Sequence, residues 1–459
     1  MNASRRAFLQ RGSAFIAAGV TSPLALNLAA ISEASAATAT DYKALVCIFL
    51  YGGNDYANTL VPYDINNYNA YQLLRPTLAY AQANLTATAL TPRAGNTPFD
   101  VNGVAHQYAL APALSPLKGI FDAGRMAVLL NVGTLVQPTT KTQFNNKSVP
   151  RPPRLFSHND QQSFWQSLSP EGAPSGWGGR MGDLFEAGNG KAVFTNINVA
   201  DNAVYLSGKS STQYQVTTQG AVPLYSADYL YGSQACGATL KKLISDSRPH
   251  MFENEHNIIT KRSLDSGAAL NNALAAVPAI NTPFPTGNNL ANQLQLVAKM
   301  IASADALAVK RQVFFVSIGG FDNHDGLLDK HPALLKKVAD AMKAFYDTTV
   351  ELGVQNQVTA FTASDFGRSL VGNNDGSDHG WGSMHFMVGG AVLGQSYYGT
   401  APVVASNGVD DVGEGRLLPT TSVDQYAATL GKWMGVTDTQ LLDLLPNLKN
   451  FSTRNLGFV

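Results

Sequence analysis

Five short runs of nearly unbroken apolar residues set the frame of this chain. Ala44–Leu50 is apolar throughout and ends at Gly52-Gly53, and Met126–Leu130, Val313–Ile318, Val358–Ala363 and Phe386–Val392 repeat the pattern. A strand with one wet face alternates apolar and polar residues, so runs of this kind predict strands buried on both faces, as in a parallel sheet. Between them the period changes to that of a helix. Leu290, Leu294, Val297, Ile301 and Ala304 place one apolar stripe on a helix over 289–307, and Leu334, Leu335, Val338, Met342 and Phe345 do the same over 331–352. Pro332 then falls in the first turn, where a missing N–H costs little. A third helix is predicted over 423–434 and a short one over 161–167. Helices alternating with buried strands predict an α/β fold with a central, mostly parallel sheet.

The stretch 205–288 breaks this rhythm. It is rich in Ser, Thr, Gln and Asn, with helical spacing only over 238–244 and around 258–276. It reads as a polar, partly helical insertion or cap over the sheet.

Composition narrows the partners. The chain carries 32 Lys and Arg against 32 Asp and Glu, and only 14% of its residues are charged, against about 25% in an average domain. Lys241-Lys242, Lys310-Arg311 and Lys336-Lys337 are isolated pairs. With no basic patch, nucleic acid is a poor partner. Cys47 lies inside the first apolar run and Cys236 in the polar insertion, and a disulfide between them is left open by the sequence.

The first 36 residues are set apart. Ser4-Arg5-Arg6-Ala7-Phe8-Leu9 reads as a twin-arginine signature, the run from Ala14 to Ala30 is mildly apolar and broken by Pro23, and Ala34-Ser35-Ala36 offers a small-residue cleavage site. These are the parts of an export signal. The apolar run is too weak and interrupted for a span, which needs about 20 apolar residues. The expectation is a twin-arginine signal peptide over 1–36, a mature α/β domain over 37–459, and a periplasmic or secreted destination with no transmembrane segment in the mature chain.

Candidate chemistry gathers where the strands end. Gly52-Gly53-Asn54-Asp55 follows the first run, Gly319-Gly320-Phe321-Asp322-Asn323-His324 the third, and Ser364-Asp365-Phe366-Gly367-Arg368 the fourth. Each places an acidic residue just past the carboxyl end of a buried strand, the edge at which open α/β sheets bind ligands. Carboxylates that converge there repel one another unless a cation sits among them. Asp55, Asp322 and Asp365, with His324, therefore read as divalent-metal ligands, and the polar loop holding Asp378, His379 and, six residues on, His385 adds imidazole. Imidazole with carboxylate suits zinc, iron or manganese, with zinc or manganese the leading expectation. Ser157 and His158 open the short helix over 161–167, where free N–H groups favour an anionic substrate. Ser157 could attack a phosphoryl or sulfuryl centre, His158 could serve as ligand or acid, and Arg368 could clamp an oxyanion. Helix capping by Ser157, turn capping by the aspartates and a structural ion pair for Arg368 are the competing readings. His106, His250, His256 and His331 lie outside such contexts and read as structural or surface residues.

In combination these residues resemble a known family. The twin-arginine start, Gly52-Gly53-Asn54-Asp55, Ser157-His158, Gly320-Phe321-Asp322-Asn323-His324, Asp365-Phe366-Gly367-Arg368 and Asp378-His379 look like the exported bacterial family named domain of unknown function 1501, which is similar to the alkaline phosphatase and sulfatase superfamily. The resemblance implies an alkaline-phosphatase-like fold with one or two divalent metals at the carboxyl edge of the sheet. It makes Asp55 the first metal aspartate, Asp322 and His324 the pair on one metal, Asp365 a ligand of the other, and His379 or His385 the last histidine. Phe366 stands where the superfamily has histidine, and Asp322 and His324 are two apart where it has four. The absence of a Cys-x-Pro-x-Arg motif speaks against a formylglycine sulfatase. The expected activity is metal-dependent hydrolysis of an anionic phosphate or sulfate ester. The alternative is a non-catalytic binding or assembly protein of the cell envelope with an envelope partner. A redox role has no glycine-rich dinucleotide motif or cysteine cluster behind it.

Overall fold

The computed structural model describes residue 39 and residues 41–201 and 203–459. The expected signal peptide lies outside the described residues. Among these residues, no helix is long and apolar enough to cross a membrane.

A ten-stranded sheet organises the chain. Its strands in chain order are β1 (Lys43–Leu50), β2 (Met126–Gly133), β3 (Asn196–Asn198), β4 (Tyr214–Thr217), β5 (Gly220–Ala221), β6 (Arg311–Ile318), β7 (Val358–Ser364), β8 (Ser383–Gly389), β9 (Ser396–Tyr398) and β10 (Thr421–Ser422). Their spatial order is β9-β2-β8-β7-β1-β6-β3-β4-β5, with β10 also pairing β2. Every pairing is parallel except those of β8 with β2 and β7 and that of β5 with β4. The sheet is thus mixed, mostly parallel and flanked by helices.

The unbroken apolar runs have the cause the pattern predicts. Along β1, Ala44, Val46, Ile48 and Leu50 enter one core layer, and Leu45, Cys47 and Phe49 enter the other. Both faces are dry, so neither tolerates a polar residue. The first layer is closed by α5 (Asn289–Ala302) and α6 (Leu327–Glu351), the second by α2 (His158–Ser167), α3 (Trp177–Phe185) and α7 (Val423–Met434); α1 (Ser115–Asp122) and α4 (Met251–Ala275) complete the longer helices named here. The ends of α7 are written in its sequence: Ser422 and Gln425 form a capping box, and Gly435 closes it at φ +102°.

Three details differ from the pattern reading. β8 covers 383–389 rather than 386–392, and it runs against its neighbours. α6 begins at Leu327, so Pro332 lies in its second turn; the carbonyl it leaves unpaired belongs to Leu328, an exposed residue. α2 begins at His158, three residues before the predicted start. The stretch 205–288 contributes β4 and β5 to the sheet edge and carries the helices Tyr225–Asp228, Gln234–Leu243 and α4. Cys47 is buried, Cys236 is exposed, and both are free thiols.

One buried acid makes stability depend on pH. Asp424, in the first turn of α7, is wholly enclosed; its Oδ1 accepts from the Asn447 backbone N–H at 3.1 Å. Burial pushes its carboxyl up to about 7, against the partial relief of the Asn447 bonds. Its folded value lies above its unfolded one, so between roughly pH 4 and 7 the folded state holds a proton that the unfolded state has released. Stability therefore falls as pH rises through that window. Asp424→Asn is expected to leave the melting temperature near that of the parent at pH 4 and to raise it at pH 8, by roughly 2–4 kcal/mol of stability. Parallel thermal melts at the two pH values measure this, and an equal shift at both would show that Asp424 is ionised throughout.

Candidate metal centre

The register of the central strands builds the site. Leu50 of β1 lies opposite both Ile318 of β6 and Ser364 of β7, so all three parallel strands end level. The turns that follow meet at one edge. Gly52, at φ +114°, must be glycine: a Cβ there would stand 2.4 Å from the backbone N of Asp322. This contact brings the first and third strand ends together. The Gly52 N–H donates to Asp365 Oδ2 at 3.1 Å, which adds the fourth.

Asp322 is the focus. His324 Nε2 lies 3.1 Å from its Oδ1, His379 Nε2 lies 3.2 Å from the same oxygen, and His158 Nε2 lies 3.4 Å from Oδ2. The two nitrogens His324 Nε2 and His379 Nε2 are 2.8 Å apart. His158, Asp322 and His379 offer ligand atoms all within 4.8 Å of one another, a group that could hold a metal ion.

Hydrogen-bond partners fix which nitrogen of each imidazole carries hydrogen. His379 Nδ1 faces the Phe156 carbonyl at 2.8 Å, which can only accept, so this Nδ1 donates. His324 Nδ1 donates to Asp378 Oδ1 at 3.2 Å and His158 Nδ1 to Asp365 Oδ2 at 2.7 Å. In the neutral rings all three Nε2 atoms therefore carry no hydrogen, and each lies within 3.4 Å of an Asp322 oxygen. An oxygen or carboxylate behind each ring, with a bare nitrogen in front, is the outer-partner pattern of histidine metal ligands. Lone pairs 2.8 Å apart repel unless a cation or proton lies between them. His158 Nε2 is also buried without a hydrogen-bond partner. The donor set of three imidazoles and one carboxylate fits a divalent transition metal.

Charge around the cluster is arranged to match. Arg368 is fully buried and donates through Nη1 to Asp322 Oδ1 at 2.7 Å and to the Gly52 carbonyl at 3.1 Å, while its Nε donates to the Ser377 carbonyl at 2.9 Å. Partial burial opposes ionisation of Asp322, but the Arg368 hydrogen bond and charge, with His158 and His324 beside them, hold its carboxyl below the usual range. The bond to Asp365 raises His158, assisted by the charges of Asp365 and Asp322, and burial lowers His379. Gln162 Nε2 also donates to Asp365 Oδ2, at 2.7 Å.

The other predicted residues fall elsewhere. Asp55 is not brought into the cluster: it is fully buried, Arg75 grips it through Nη1 at 3.0 Å and Nη2 at 2.7 Å, and Ser377 Oγ donates to it at 2.9 Å. That is an ion pair inside the fold. His385 lies within β8, enclosed between Trp165 and Tyr426. Its Nδ1 meets Thr362 Oγ1 at 3.2 Å, and burial lowers its pKa to about 3, so it stays neutral. Asp365 and Asp378 stand behind histidines, as orienting partners. Ser157 is the N-cap residue of α2, and its hydroxyl donates to Asp160 Oδ2 at 3.0 Å. Phe366 is buried with its ring centroid 4.9 Å from that of His158 and 4.8 Å from that of His379, so it packs against both rings, whose own centroids are 4.3 Å apart. His331 is buried and meets Asn54 Oδ1 at 2.9 Å. Gln162 and Arg75 were not singled out by the sequence. Gln162 stands four residues after His158 on α2, and that spacing was the one available signal.

Fold and site together describe an α/β protein with a histidine–aspartate cluster at the carboxyl edge of a mostly parallel sheet. Residues 267–445 match the model of the family described as "Protein of unknown function (DUF1501)". The matched segment holds Asp322, His324, Asp365, Arg368, Asp378 and His379. No curated protein matches the chain. Similar solved structures include the PsFucS1 sulfatase from Pseudoalteromonas sp., at 10% identity, 90% coverage of this chain, 71% of that one and a TM-score of 0.35. Also similar are the lipoteichoic acid synthase LtaP from Listeria monocytogenes (9%, 87% and 74%, TM-score 0.32) and the phosphonate monoester hydrolase SpPMH from Silicibacter pomeroyi (9%, 70% and 68%, TM-score 0.32).

Proposed function

We propose that this chain is an exported metal-dependent hydrolase of phosphate or sulfate esters. The observation that supports this reading most directly is the pair His324 Nε2 and His379 Nε2, 2.8 Å apart with Asp322 Oδ1 beside both at 3.1 and 3.2 Å and a hydrogen-bond acceptor behind each ring. Asp322, His324, His379 and His158 would hold the ion. When bound, it would polarise the ester oxygens as a Lewis acid. The protein's own contribution is positioning. Asp365 and Gln162 hold the ring of His158, and the Phe156 carbonyl holds His379. Arg368, anchored on Ser377 and Gly52, keeps a fixed positive charge beside Asp322. The N-terminus of α2 presents free N–H groups and a positive dipole end to an anionic substrate. In this reading Ser157 is the nucleophile. Asp160 accepts its hydroxyl hydrogen, Oγ forms a bond to phosphorus or sulfur as the bond to the ester oxygen breaks, that oxygen leaves as alcohol with the proton from Asp160, and water then releases the acid and restores the hydroxyl of Ser157.

The test is direct. Protein lacking residues 1–36, loaded with zinc or manganese, is expected to hydrolyse 4-nitrophenyl phosphate or 4-nitrophenyl sulfate. Ser157→Ala is expected to reduce the rate at least 100-fold while leaving metal content unchanged. Metal binding without hydrolysis of any ester would instead favour a binding protein of the envelope, a reading that the Phe366 ring packed against His158 and His379 supports.

A further inference from the structure

The segment that leads into α2 carries two arginines that the metal centre does not use. Phe144, Arg151, Pro152, Pro153, Arg154 and Phe156 are among the residues lining an open cavity of about 410 Å³, within the roughly 300–1,000 Å³ of small-molecule sites. Among the described residues, no acidic side chain lines it.

The cavity adjoins the candidate site through shared residues. Phe156, whose carbonyl accepts from His379 Nδ1, is part of its wall, and Ser157 follows directly. Arg416 fixes this wall: its Nε donates to the His379 carbonyl at 3.1 Å, Glu414 pairs with it, and its guanidinium carbon stands 4.8 Å over the Phe156 ring. Asp160 Oδ2 lies 3.0 Å from Ser157 Oγ and 3.9 Å from Arg154 Nη1, so one carboxylate oxygen neighbours both the hydroxyl and the guanidinium.

Arg154 does little for the fold. Its side chain is 75% exposed, and the 3.9 Å approach to Asp160 is too long for a hydrogen bond. Its backbone sits at φ +45° and that of Phe156 at +74°, a left-handed conformation that bulky residues avoid. Such strain collects at ligand clamps. Arg151 has its guanidinium carbon 4.8 Å over the Phe144 ring and uses one donor on the Phe144 carbonyl at 3.4 Å. A guanidinium offers five donors in a planar fork that matches phosphate, sulfate and carboxylate. We propose that this cavity binds a second anionic group of the substrate, so that the substrate class is a phosphate or sulfate ester carrying a further phosphate, sulfate or carboxylate, gripped by Arg154 and Arg151. The proposal rests on the ester-hydrolase reading for the group that reacts, and on the cavity alone for the group that only binds.

The experiment is calorimetric titration of the zinc-loaded Ser157→Ala chain lacking residues 1–36, in which no turnover intervenes, with glucose 6-phosphate and with glucose 1,6-bisphosphate. The bisphosphate is expected to bind at least tenfold more tightly. Adding Arg154→Ala is expected to remove that difference, and Arg154→Lys, which keeps the charge without the fork, to retain part of it. Should Arg154→Ala fail to fold, Arg151→Ala decides, with at least a threefold smaller preference expected. A bisphosphate that binds no better than the monophosphate overturns the proposal, as does a preference that the folded arginine variants leave unchanged. Failure of the hydrolase reading shows differently: protein that retains Ser157 would release phosphate from neither sugar, while the preference and its dependence on Arg154 would stand.

Discussion

Asp322→Ala is expected to strip the protein of its metal while leaving it folded. Asp322 touches three imidazoles and one guanidinium, so its loss removes a ligand and the only carboxylate in the set. Removing an orienting group behind a metal histidine typically weakens binding by about 10–100-fold; removing a ligand should cost more than that. The conservative variant Asp365→Asn, which weakens the bonds through which Asp365 orients His158 and holds Gly52 and Gln162, should fall within that 10–100-fold range. Folding should survive Asp322→Ala for two reasons. The Asp322 side chain is 45% exposed, so water can reach the place it vacates beside Arg368, and Arg368 keeps its bonds to Ser377 and Gly52. Elemental analysis after exposure to zinc or manganese, beside a thermal melt, reads both halves of the expectation. A folded wild type that takes up neither metal would remove the metal centre altogether. An Asp322→Ala protein that still carries a full equivalent would remove Asp322 from it.

What the sequence made legible, and what it hid, follows from how far apart the determinants lie. The central strands could be read because burial on both faces is a local property, recorded residue by residue along β1, β6 and β7. The end of α7 could be read because Ser422, Gln425 and Gly435 act within one turn of the helix they bound. Asp55, Asp322 and Asp365 looked alike, since each is an acidic residue past a strand end. What separates them is the partner. Arg75, twenty residues beyond Asp55, folds back on the helix Ile65–Leu74 to claim both its oxygens, whereas Asp322 meets histidines from three segments. His385 misled for a related reason. It stands just before the apolar run 386–392 and reads with the polar loop of Asp378 and His379, but β8 starts at Ser383, so His385 already lies inside a strand buried at every position. A five-strand pattern does not announce strand direction, because a strand covered on both faces shows the same composition either way.

The contrast between the two aspartates yields the second large effect. Asp55→Ala is expected to destabilise the fold by about 3–5 kcal/mol, the cost of leaving one member of a buried ion pair without its partner. Arg75 is 0% exposed and would retain only neutral acceptors, the carbonyls of Ser369 and Leu370 and the Asn58 side chain. Burial opposes ionisation of Asp55, yet the charge and hydrogen bonds of Arg75 outweigh it and hold the carboxyl below its usual range, so the pair is charged at neutral pH. The paired change Asp55→Leu with Arg75→Met should cost much less than either single change, because it removes the uncompensated charge along with the bond. Urea unfolding of the three variants gives the coupling energy. Metal content of the fraction that remains folded supplies the independent reading, and it is expected to equal that of the wild type. If Asp55→Ala instead kept the wild-type urea midpoint and lost the metal, Asp55 would be a ligand whose ion pair with Arg75 breaks when metal binds, and the centre would include the first strand end as well as the third and fourth.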